Sequence, residues 1–130
     1  MAIVMSNSGR AIQTNLVSGL GGTAPNYIAL GSGAGTAAAT DTTLFTEYTT
    51  GTWTGYARLN TTPTRGTTSV TNDTITWQSA AFTAPGAETV TNAGSFDAAT
   101  VGNLFIKSDF TGVVLATGDT LTVKVTLQYT

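Results

Sequence analysis

The chain has 130 residues, 41% apolar and only 9% charged, with 29 threonines and neither cysteine nor histidine. That length suits one domain with a core able to fold unaided, and the missing residue types remove disulfides, thiol chemistry, the commonest general base and the commonest zinc ligands. A net charge of −2 with five scattered Lys and Arg argues against a nucleic-acid backbone as partner.

Threonine is β-branched and fits a pleated surface, so the composition leans toward strands. The opening "MAIVMSNSGR" has no basic region and no long apolar run, so we expect no signal peptide and no membrane span. "AIVM" is too apolar to stay free in water. Three readings stand for residues 1–8, a free arm, a strand added to a partner, or a packed strand of this domain, and the apolar character favours a partner contact through Ile3, Val4 and Met5. Next, Ile12, Leu16 and Leu20 recur every fourth residue with Val17 beside them, which predicts one buried face of a short helix. Ser8 is its expected N-cap and Gly21-Gly22 its stop.

"NYIALGSG" reads as a buried strand running into a glycine-rich stretch. That stretch fails as a phosphate loop. It has no lysine, and Thr36 stands where the dinucleotide fingerprint needs its third glycine. We read Gly31, Gly33 and Gly35 as letting the chain turn tightly on leaving the strand. "TDTTLFTEY" predicts one or two helical turns capped by Thr40 or Asp41, and "TWTGYARLNTT" predicts a strand from Trp53 that ends at Pro63 to Gly66.

The second half alternates more clearly. "TSVTNDTITWQSAAF" predicts a hairpin around Asn72-Asp73, with Ile75, Trp77, Ser79 and Ala81 on one face. "ETVTNAGSFDA" and "NLFIKSDF" predict two further strands, the second with Leu104, Ile106 and Phe110 opposite Phe105, Lys107 and Asp109. In "DTLTVKVTLQYT", Leu121, Val123, Val125, Leu127 and Tyr129 alternate with polar residues, as in a half-buried strand with one wet face. The expectation is a single domain over residues 1–130. It is mainly all-β, an antiparallel sandwich or small barrel of roughly seven to nine strands, with a short N-terminal helix.

No pair among the acids sits in a catalytic motif, and serine without histidine leaves only rare nucleophile arrangements. We therefore expect no enzyme, no cofactor and no metal. Trp53 and Tyr56 are candidates for exposure, as a sugar platform or, with more weight, a subunit contact. Lys107 and Lys124, on polar strand faces, are candidate edge-blocking charges or ion-pair donors to a neighbour.

The stretch from Tyr27 to Gly33, the run from Thr36 to Glu47 and the later Arg58 resemble a pattern of small structural proteins of tailed bacteriophages. "VTNAGSFDAATVGNLFIKSDF" and the closing "GDTLTVKVTLQYT" are similar to later parts of the same pattern. Two departures stand out. Ala37 replaces a proline, and Asn92 stands where an acid is common, so any ion pair made there is absent. The resemblance implies a virion component, labelled in such families as capsid decoration, tail or fibre, and Arg58 is a further candidate interface residue. The chain has no coiled-coil heptads and no collagen-like period, so it is not expected to build its own fibre shaft. We accordingly expect a capsid decoration (cement) protein, a homo-oligomer and by preference a trimer, bridging copies of the major capsid protein on the capsid surface. The alternative is a tail or fibre module that binds a host-surface glycan or another tail protein.

Overall fold

The computed structural model describes all residues 1–130. The all-β expectation holds: 38% of the chain is strand and 9% helix, the sheets are antiparallel, and none closes into a barrel. Strand β1 (Ala2–Met5) leads into helix α1 (Asn7–Ser18), then β2 (Tyr27–Gly31), β3 (Leu59–Asn60), β4 (Thr64–Gly66), β5 (Thr74–Gln78), β6 (Phe82–Thr83), β7 (Glu88–Phe96), β8 (Leu104–Leu115), β9 (Thr120–Leu121) and β10 (Lys124–Gln128). The main sheet runs β1-β8-β7-β2-β3, the second β10-β5-β4, and β6 pairs with β9 alone. Ten strands exceed the expected number because four of them have only two or three residues.

The core lies between the sheets. Ile28, Leu30, Val90, Ala93 and Ile106 of the main sheet meet Trp77 and Phe82, with Tyr48 and Trp53 filling one end. Burying such side chains contributes about 1.5–3 kcal/mol each. The other face of the main sheet is covered by loops rather than strands. Leu44 closes there on Ala29, Phe96 and Leu104.

Residues 1–8 are packed on this domain. β1 pairs with β8 from Ala2↔Asp109 to Met5↔Ile106, and the helix starts two residues later. Its N-cap is Ser6 rather than Ser8: the Ser6 hydroxyl accepts the Gly9 N–H and also donates to the Leu104 carbonyl. Its stop is Gly19 at φ 70, two residues before Gly21. Ile12 is buried as expected, but Leu16, Val17 and Leu20 are exposed, because no element covers the last turn.

Three other expectations fail for identifiable reasons. Residues 40–48 form turns, not a helix, because their backbone bonds to the end of β2. The Ser32 and Gly33 N–H groups reach the Thr46 and Phe45 carbonyls, and the Tyr48 N–H reaches that of Leu30. The strand expected from Trp53 survives only as Leu59–Asn60. Trp53 and Tyr56 lie in turns instead, and the Tyr56 hydroxyl takes the Leu30 N–H beyond the short β3. Thr64–Gly66, read as a terminator, is itself the first arm of the hairpin with β5. Pro63 precedes it without taking part in the ladder.

The glycine run answers to crowding. Gly31, Gly33 and Gly35 have ordinary backbone angles, and a Cβ on Gly35 would sit 2.6 Å from the Phe45 ring. A shift in register between β7 and β8 at Ser95/Phe96 also corrects the expected faces. It turns Phe105 toward Trp77, ring centroids 5.6 Å apart, and sends Leu104 to the opposite face.

Candidate functional site

The loops over the outer face of the main sheet are fastened by two buried cations. Arg58 holds Glu47 with Nε–Oε1 at 2.7 Å and Nη2–Oε2 at 2.8 Å. Its third nitrogen donates to the carbonyls of Ala98 and Val101, and its guanidinium lies 3.6 Å above the Phe96 ring. This grip accounts for Val101 at φ 55, an angle that a β-branched residue adopts only when its surroundings fix it. Lys107, 1% exposed, donates to Asp41 and to the Thr43 carbonyl. Asn92 completes the fastening: fully buried, it accepts the Phe45 N–H and donates to the Phe45 carbonyl. Amide hydrogen bonds take the place of an ion pair there.

The eight residues singled out from the sequence therefore fall in different places. Trp53 is 3% exposed in an aromatic nest with Tyr48 and Phe82. Tyr56 stacks on Phe82, 6.3 Å between centroids, and is half-buried. Burial pushes the Tyr48 phenol up to about 12 and the Tyr56 phenol higher still, so both stay protonated. Arg58 and Lys107 make internal ion pairs. Met5 packs against the core, Val4 is half-buried, and Ile3 is 64% exposed. Lys124 is exposed on β10 and has no carboxylate partner.

Charge is largely consumed inside the molecule. Asp73 accepts the N–H groups of Ser69, Val70 and Thr68, which hold its carboxyl far below the usual range. Asp109 accepts those of Ala37 and Ala2, and its carboxyl is likewise lowered. Asp97 and Asp119 close turns by accepting the N–H groups of Asn103 and Ala116. No group of three or more acidic side chains comes together. What remains outside is mostly hydroxyl and apolar.

Apart from Ile3, the apolar part is what sequence reasoning missed. Val17, Leu20, Val101 and Val114 are each more than three-quarters exposed, and Met1, Ile3 and Val70 more than three-fifths. Two shallow apolar grooves accompany them. One, of about 210 Å³, lies between α1 and the second sheet at Leu16, Trp77, Leu127 and Tyr129. The other, of about 320 Å³, lies beside β10. The double glycine after Leu20 was the available signal for the first, since a helix that stops there leaves its last turn uncovered.

Fold and surface together define a small antiparallel β module with apolar side chains exposed at several places. A family model described as podophage GP4 fiber I protein gp80 matches residues 6–127, and the chain belongs to that family. No curated protein matches it. The chain is thus a phage virion structural protein of the fibre, a family membership that implies a non-enzymatic role. The expected capsid cement role is corrected by the same match. The fibre alternative is the one it supports.

Proposed function

We propose that the protein is a module of the podophage tail fibre that works by protein–protein contact, joining neighbouring chains. The observation that supports this most is the combination of fibre-family membership with exposed apolar side chains at several separate places on a small domain. Single exposed apolar residues are ordinary on a protein surface, but those that border a continuous apolar groove, such as Met1 and Ile3, mark a contact surface. Glycan stacking is the weaker reading, because Trp53 is buried and Tyr56 is half-buried with its ring stacked on Phe82. A homo-oligomer remains part of the proposal. The preference for a trimer belongs to the capsid-surface reading and goes with it.

Deleting the gene and purifying the particles tests this reading. Particles lacking the chain should keep DNA-filled, heat-stable heads and lose fibre mass and host adsorption. Fragile heads with intact fibres would restore the cement reading.

A further inference from the structure

The second sheet ends on an open edge. β10 is bound to β5 by its odd-numbered residues: the Ser79 N–H donates to the Val123 carbonyl at 2.9 Å and the Tyr129 N–H to that of Asp73 at 2.8 Å, with Val125↔Trp77 and Leu127↔Ile75 between them. In an antiparallel ladder the intervening residues point their backbone groups the other way. The N–H and C=O of Lys124, Thr126 and Gln128 therefore face outward, where this chain supplies no strand. Beyond them lies the groove of about 320 Å³, with Met1, Ile3, Ile106, Phe110 and Val113 along it. Met1 is 86% and Ile3 64% exposed. The groove lies between β10 and the β1–β8 side of the main sheet, and its uncovered apolar side chains are chiefly Met1 and Ile3, since Ile106 is buried and Phe110 half-buried.

We infer that an extended segment of a neighbouring fibre chain fills this place, pairing with β10 and turning apolar side chains into the groove. Only an extended backbone meets donors and acceptors that recur at every second residue, and alternate side chains then supply the fit. Lys124 adds charge complementarity. It is the groove's one basic side chain and has no acid partner in its own chain, so the incoming strand carries a carboxylate opposite it. Lysine on an edge also deters wrong partners. At one end of β10 it leaves Thr126 and Gln128 open, so it selects a partner without closing the edge.

The inference rests on the fibre reading and is separable from it. Hydrogen exchange of the Lys124, Thr126 and Gln128 amides is compared in the isolated protein and in intact virions. These amides should exchange freely in isolation and slow roughly 100-fold in the particle, while those of Val125 and Leu127 are protected in both. Unchanged exchange in the particle overturns the inference. Thr126→Pro removes an outward N–H that takes no part in the β5 ladder, so the domain should fold and incorporation into particles should fall roughly tenfold. Ile3→Lys charges the exposed groove and should do the same, whatever the fate of the proline variant; normal incorporation of folded Ile3→Lys contradicts the inference. Immunogold labelling separates the two failures. Label on heads overturns the fibre reading, whereas label on fibres with open β10 amides overturns the edge alone.

Discussion

The Lys107 ammonium lies 2.9 Å from the Asp41 carboxylate and 3.1 Å from the centre of the Phe45 ring, so one buried cation clamps both ends of an irregular segment. Removing either partner of such a pair leaves the other uncompensated. Lys107→Ala should destabilise the protein by about 3 kcal/mol, and Asp41→Ala by as much or more, since it strands the deeper charge. The double variant should lose less than the two single losses combined. Additive losses in urea denaturation would show that the pair is not coupled.

Arg58→Lys keeps the charge and loses the fork. It should cost about 1–2 kcal/mol and release the Val101 carbonyl, so exchange of amides in residues 98–103 should accelerate. Unchanged exchange there would mean that Arg58 does not hold the loop.

Two glycines are required by contact. A Cβ on Gly9 would fall against the Phe105 carbonyl, which is fixed backbone, whereas one on Gly35 meets only the Phe45 ring. Both alanine variants should be less stable, Gly9→Ala by about 2–3 kcal/mol and Gly35→Ala by about 1 kcal/mol, because a ring moves more easily than a strand. The reverse order in thermal denaturation would contradict the packing described.

Acid should unfold the protein through three carboxylates held below their ordinary range. Asp41 is lowered by the Lys107 ammonium and the Ala38 N–H, Asp73 by the N–H groups of Ser69, Val70 and Thr68, and Asp109 by those of Ala37 and Ala2. Unfolding returns each to about 3.9, so the unfolded chain binds more protons as the pH falls. Their contribution is complete above about pH 5 and is lost as pH drops through the folded-state values. Tm should be level from pH 7 to 5 and fall below about pH 4, less steeply in Asp73→Asn. A Tm that rises on acidification would contradict this.

Much of the fold was legible because alternation is local. β5 and β10 follow directly from apolar residues at every second position, whereas β7 and β8 are legible as strands but not in their faces, which register shifts at Val90/Asn92 and Ser95/Phe96 exchange. The failures lie where distant contacts decide. Residues 40–48 have helix-cap residues, yet the backbone of Leu30 and Gly33 claims their hydrogen bonds. Trp53 lies in a threonine-rich stretch that suggests exposure, and only the fold brings Tyr48 and Phe82 around it. Lys107 occupies a polar strand position whose covering loop is more than sixty residues away. The open side of β10 was partly legible, since its wet face and lone lysine can be read, whereas the bare groove beside it depends on β1 and β8.

Localised cryo-electron reconstruction of the intact virion shows whether this chain is a fibre module that acts by contact. The prediction is density for this β domain within the fibre, with its exposed apolar edges covered by neighbouring chains. Density on the capsid shell, or a domain in the fibre touching no other chain, would contradict it.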